Sequence, residues 1–230
     1  NLINSGVVTA VFPATIASIT YSAGTGGSGT APSSPTTVAI GGTFTTPFSL
    51  YTRAGYSFGG WSDGTRTYAA SATYPETGTV TSNVTLTAQW TGVTYTVLFN
   101  YNGRTGGDSD ASKQFTTGGT AMTLPTPTRT GYTFGNWFSN VALTTLVGSS
   151  GANYEPTTNL TLYAKWNPIN YTVTYNSTNM VSGSTINSTS GSVPTDATNY
   201  NIGQLVSVKS NSGSLARTGY TFAGWVTSAD

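Results

Sequence analysis

The chain contains no cysteine and no histidine. Disulfide staples, thiol nucleophiles and thiolate metal sites are therefore excluded. Imidazole bases and imidazole ligands, the commonest groups of their kind, are excluded as well. Charge is scarce: Asp, Glu, Lys and Arg make up 7% of 230 residues, with a formal net charge of +1. No basic field exists to draw in nucleic acid or an anionic membrane surface. No run of 18 apolar residues occurs, so no helix that inserts in a membrane is encoded. The chain opens at Asn1 without a Met or a signal sequence, and is expected to be a processed product or an excised fragment. What is abundant is Thr, Ser, Gly and Asn, with aromatics at 12%. That aromatic content argues against disorder. Thr and aromatics favour pleated surfaces, and Gly and Asn favour turns, so the fold class is mainly β.

One motif occurs three times: Gly55-Tyr56-Ser57-Phe58-Gly59-Gly60-Trp61, Gly131-Tyr132-Thr133-Phe134-Gly135-Asn136-Trp137 and Gly219-Tyr220-Thr221-Phe222-Ala223-Gly224-Trp225. Arg53, Arg129 and Arg217 stand two residues ahead of each glycine. Trp90 follows Trp61 by 29 residues, and Trp166 follows Trp137 by the same 29. An internal period fixes the architecture as a linear array before any residue is assigned a role. The second Trp of each pair ends an alternating run, Val84 to Trp90 and Leu160 to Trp166, which predicts a strand with one face in a core. The next repeat opens with another such strand, at Tyr95-Val97-Phe99 and Tyr171-Val173-Tyr175. Tyr56, Phe58 and Trp61 are spaced by two and then three, which fits neither strand nor helix period cleanly. The third repeat is longer before its anchor, and the extra residues predict a surface loop within 176–192.

The first residues acquire meaning from the same ruler. Val8-Thr9-Ala10-Val11-Phe12 lies in register with Leu86-Thr87-Ala88-Gln89-Trp90. The distance from this Phe or Trp to the next opening aromatic is nine residues in all three cases: Phe12 to Tyr21, Trp90 to Phe99, Trp166 to Tyr175. The predicted domains are a partial repeat at 1–18 (a last strand), full repeats at 19–92 and 93–168, and a repeat at 169–230 lacking its last strand.

These residues resemble the Listeria–Bacteroides repeat family, the B-repeats of internalin-type surface proteins. The resemblance rests on Arg217 to Trp225, Leu160 to Trp166 and Tyr171 to Asn176. It implies small β-grasp-like units in tandem on secreted or wall-attached bacterial proteins, with an extracellular or cell-surface location, a stalk or adhesive role and no catalysis.

Candidate chemistry is thin. Seven acids are present, and Asp108-Ser109-Asp110 lacks the further oxygen ligands and closing Glu of a calcium loop, so a solvated loop tip is expected there. Gly103 to Gly107 is followed by no Gly-Lys-Ser/Thr, which excludes a phosphate cradle. No catalytic, cofactor-binding or metal-binding residue is assigned, and no cofactor is expected. The tryptophans recur in register, so Tyr56, Phe58, Trp61, Trp90, Tyr132, Phe134, Trp137 and Trp166 are expected as core anchors rather than sugar platforms. Phe115, Phe138, Tyr101 and Tyr200 do not repeat and are the better ligand candidates. Lys165 is expected to face solvent and protect its strand. Five Asn-x-Ser/Thr sequons occur, which matter only in a cell that glycosylates Asn.

A third repeat without its last strand would expose apolar surface and unpaired backbone groups. Val8, Ala10 and Phe12 of another subunit would fit near Tyr220, Phe222 and Trp225 as the missing strand. Such a contact is head to tail and open, so it builds a homopolymeric filament. Neighbouring repeats of a longer chain are the other partner. A host surface protein or glycan, bound through the loops of an adhesin module, is the alternative function.

Overall fold

The computed structural model describes residues 12–177, 179–181, 184–186 and 190–227. Val8 and Ala10 lie outside the described residues, as do parts of the 176–192 loop. All regular structure among the described residues is strand. By backbone proximity the chain divides into two compact units. One holds the chain up to Val97 with Lys113–Met122 and Tyr154–Leu160; the other holds Leu98–Ser112, Thr123–Asn153 and the chain from Thr161 onward.

Ten strands form two five-stranded sheets. In the first are β1 (Ile16–Ser22), β2 (Thr37–Ala39), β3 (Tyr56–Ser62), β4 (Thr67–Tyr68) and β5 (Val84–Gly92). In the second are β6 (Thr94–Asn100), β7 (Ser112–Thr116), β8 (Tyr132–Phe138), β9 (Leu146–Gly148) and β10 (Leu160–Pro168). Spatial order is β2-β1-β5-β3-β4 in one and β7-β6-β10-β8-β9 in the other, the same arrangement twice. β1 and β5, the opening and closing strands, run parallel side by side, with Ile19 opposite Val84 and Tyr21 opposite Leu86. β3 lies antiparallel on the other side of β5.

The alternation in the sequence is what buries one face. Ala17, Ile19 and Tyr21 of β1 point inward, as do Val84, Leu86 and Ala88 of β5. Trp61, Phe44, Tyr51 and Val80 close over them. An Asn just ahead of each closing strand ties it to the opening strand: Ser18 N donates to Asn83 Oδ1 (2.9 Å), and Thr96 N to Asn159 Oδ1 (2.8 Å).

The expected opening strand at Tyr171–Tyr175 does not form. Tyr171 makes an isolated bridge with Tyr200, and 219–227 join no strand. The reason lies in the strand order. The closing strand sits at the centre of each sheet, between the opening strand and the anchor strand. In the third repeat no closing strand stands between Tyr171–Tyr175 and 219–227 among the described residues. Within the inserted loop, Asn179–Val181 pairs with Ser184–Ile186.

Candidate functional site

The anchor motif begins with a turn and continues as a bulged strand. Gly55, Gly131 and Gly219 have φ of 75°, 77° and 80°. The left-handed value belongs to the third residue of a four-residue turn, closed by Tyr56 N to Arg53 O, Tyr132 N to Arg129 O and Tyr220 N to Arg217 O, each 3.0 Å. The Arg caps the ring of the same Tyr, with its guanidinium carbon 3.7, 4.1 and 4.0 Å from the ring centre in the three repeats.

Beyond the turn, pairing of β3 with β5 slips between Phe58 and Gly60, and that of β8 with β10 between Phe134 and Trp137. The extra residue is a β-bulge, which resets the side-chain alternation. It lets Phe58 and Trp61 meet on one face with ring centres 5.2 Å apart, and Phe134 and Trp137 5.5 Å apart. Gly60 (φ 125°) and Asn136 (φ 103°) take the positive φ at the bulge, and Gly224, in the same place of the motif, has φ 142° without a strand.

Trp61 and Trp137 are wholly buried. Each indole donates to a proline carbonyl, Pro47 O at 2.8 Å and Pro125 O at 3.0 Å. Trp90 and Trp166 are half-buried at the edges of their clusters; Trp90 packs on Phe58 (6.1 Å) and Trp166 on Phe134 (5.4 Å). Their indoles donate to Ala23 O (2.9 Å) and Tyr101 O (2.8 Å). Tyr56 and Tyr132 are half-buried in the turns.

The third repeat builds the same aromatic cluster without a sheet. Trp225 donates to Lys209 O at 3.0 Å, and its ring meets Tyr175 (4.9 Å) and Phe222 (5.1 Å). Trp225 is half-buried like Trp90 and Trp166, whereas Tyr220 is 62% exposed and Phe222 43%. These exposures define an uncovered aromatic face. Phe12 is 88% exposed, and the structure brings it to none of the three.

Sequence reasoning missed the contacts that join one repeat to the next. Val93 N donates to Gly55 O (2.9 Å), and Thr117 N to Val93 O (3.0 Å). The Thr117 side chain then lies over Gly55, where a methyl group would be 2.9 Å from Thr117 Cγ2. The second junction repeats this: Ile169 N donates to Gly131 O (2.9 Å), and a methyl on Gly131 would be 2.5 Å from Ile202. The signal was present as Ile40-Gly41, Thr117-Gly118 and Ile202-Gly203, each of which precedes an anchor glycine, by 15, 14 and 17 residues.

The ligand candidates among the non-repeating aromatics are overturned in part. Phe115, Phe138 and Tyr200 are buried in cores, which leaves no face to offer. Tyr101 is half-buried and donates to Asp110 O. Lys165 is half-buried rather than solvent-facing, with Nζ 5.5 Å from the Phe138 ring. A polar hollow of about 310 Å³ is lined by Asp63, Tyr74, Pro75 and residues 77–85. Burial raises the Asp63 carboxyl, but hydrogen bonds from the Arg66 and Thr65 amides and Tyr68 outweigh that and hold it below the usual range. Those bonds make Asp63 a staple of its own turn. Asp108 Oδ2 accepts from Thr126 N (2.8 Å), also a loop staple. No group of three or more acids, His or Cys that would hold a metal occurs among the described residues.

The fold and anchors together define an all-β tandem-repeat protein. The Listeria–Bacteroides repeat domain matches at residues 18–89, 95–165 and 171–230, and the chain belongs to that family. A protein of Evansella cellulosilytica named "Putative membrane protein" is 32% identical over 184 residues, covering 77% of this chain and 24% of that protein. The chain thus spans about a quarter of the length of the curated relative it matches. No helix among the described residues is long and apolar enough to cross a membrane. No solved structure matches.

Proposed function

We propose that this chain is a non-enzymatic structural element of a bacterial surface or its surroundings, a stalk that extends head to tail by strand complementation. The observation that carries the reading is the third repeat. It has its anchor turn, its Trp225 to Lys209 bond and its aromatic cluster, but residues 219–227 pair with no strand. The place left open is the central one in the sheet order of the other repeats. Residues 8–12 carry the closing-strand pattern in the right register, with Val8, Ala10 and Phe12 on one face. Inserted beside Tyr220, Phe222 and Trp225 of another subunit, they complete a β-grasp-like unit with its parallel central pair. The family membership supports the surface location and the absence of catalysis.

The test is deletion of residues 1–12, followed by sedimentation and electron microscopy of concentrated protein. The intact chain is expected to form filaments and the deleted chain to remain monomeric. A deleted chain that still polymerises would refute strand donation. An intact chain that stays monomeric at high concentration would refute self-assembly.

A further inference from the structure

We propose that the polar hollow of the first repeat is a binding site for a small neutral saccharide. The site is independent of strand donation: every residue that lines it falls between Asp63 and Thr85, within one repeat.

One wall of the hollow is an addition to the repeat. In both full repeats a tyrosine ends a two-residue strand ahead of the closing strand, Tyr74 in the first and Tyr154 in the second. From there to the Asn that ties down the closing strand is nine residues in the first repeat (Asn83) and five in the second (Asn159). The extra residues fall in 75–82, the segment that supplies most of the lining. Thr77, Thr79, Thr81 and Ser82 are exposed there, and their hydroxyls make no hydrogen bond to any described residue.

The other wall is the turn between β3 and β4. Asp63 Oδ1 accepts from the amides of Thr65 and Arg66, both at 2.8 Å, and Oδ2 accepts from the Tyr68 hydroxyl at 3.2 Å. The turn does not require the charge. In the second repeat Asn140 closes the corresponding turn, its Oδ1 accepting from the amides of Thr144 (3.0 Å) and Thr145 (3.1 Å). A neutral amide does there what the Asp63 carboxylate does here. Burial, and next the Asp63 charge, raise the Tyr74 phenol, which therefore stays a protonated donor near the carboxylate. Arg66 joins Glu76 at 2.6 Å, which fastens the added loop to the Asp63 turn and takes up the Arg66 charge.

These groups select a class of ligand. A volume of about 310 Å³ suits a small molecule, at the lower end of the range for such sites. A fixed carboxylate accepts from more than one hydroxyl, and alcohol side chains both donate and accept. Hydrogen bonds to the charged acceptor are the stronger ones. An anionic ligand would be repelled by Asp63. An apolar ligand would strip water from the hydroxyls and leave them unpaired. A ring that carries adjacent hydroxyls, as one or two sugar residues do, meets each of these demands.

The test is ligand-observed saturation-transfer NMR on the intact chain, which reads binding whether or not the chain assembles. The probes are N-acetylglucosamine, galactose, mannose and cellobiose, with choline and acetate as charged controls. At least one saccharide is expected to receive saturation, with a dissociation constant of about a millimolar, as so few contacts allow. Asp63→Asn keeps an acceptor for the turn amides, so thermal unfolding should hold, and it should weaken that binding at least about tenfold. If Asp63→Asn disturbs the turn, exchange of 75–82 for residues 155–158 of the second repeat carries the test, and it should abolish binding. Saturation of no saccharide, or of choline or acetate in place of the saccharides, overturns the proposal. Saccharide binding that both variants leave unchanged also overturns it, because the sugar then sits elsewhere on the chain.

Discussion

One extra residue between Phe58 and Trp61 decides whether the anchor has a core face. Without the slip at Gly59-Gly60, Trp61 would point away from Phe58 and leave Leu86 uncovered. Trp137 occupies the same place in the second sheet, is wholly buried and donates to Pro125 O. Trp137→Ala is expected to cost about 3–5 kcal/mol by urea titration, a large share of the stability of so small a repeat. Asn136 holds φ 103° at its bulge, where the other repeats have Gly60 and Gly224. Asn136→Gly should be tolerated, whereas Asn136→Val should lose about 1–3 kcal/mol, measured the same way. Burial pushes the Tyr21 phenol from 10.0 up to about 12. The folded chain favours the neutral phenol, so this stability is complete below pH 10 and is lost as pH climbs from about 10 toward about 12. The urea midpoint should fall across that window, and Tyr21→Phe should flatten part of the fall.

At the scale of elements, the closing strands were the most legible part of the chain. Strict alternation from Val84 and from Leu160 needs no partner to be recognised, and both strands form as read. Tyr171 to Tyr175 carries the same alternation and forms no strand, because pairing depends on a neighbour the pattern does not encode. The anchor's spacing of two then three was a bulge, which period alone cannot separate from a turn. The glycine junctions were hidden for another reason: their partners lie far apart in sequence, and a small residue announces nothing about what covers it. Amides of 84–92 and 160–168 should exchange slowest with solvent and those of 219–227 fast. A synthetic peptide of residues 5–14 should then slow exchange in 219–227 if strand donation is right. Unchanged exchange at saturating peptide would count against it.

For the whole molecule, the shortage of charge sets the character of any association. With 7% charged residues and a net charge of +1, steering and ion pairing have little to act on. Assembly should therefore depend on apolar contact and backbone hydrogen bonds. Its midpoint concentration should shift little between low and high salt, as read by light scattering, and urea should dissolve the assemblies readily. A steep salt dependence would show that the contact lies elsewhere.

The parallel pairing of β1 with β5 has a mechanical meaning. The chain enters the first repeat at the start of β1 and leaves it at the end of β5, and these two strands lie side by side pointing the same way. Tension along the chain slides them past one another instead of peeling them apart. Every hydrogen bond between Ile19–Ser22 and Val84–Thr87 is then loaded together, in shear, and all must fail at once. A tandem array of such repeats should therefore resist tension along the chain better than force that peels the strands apart.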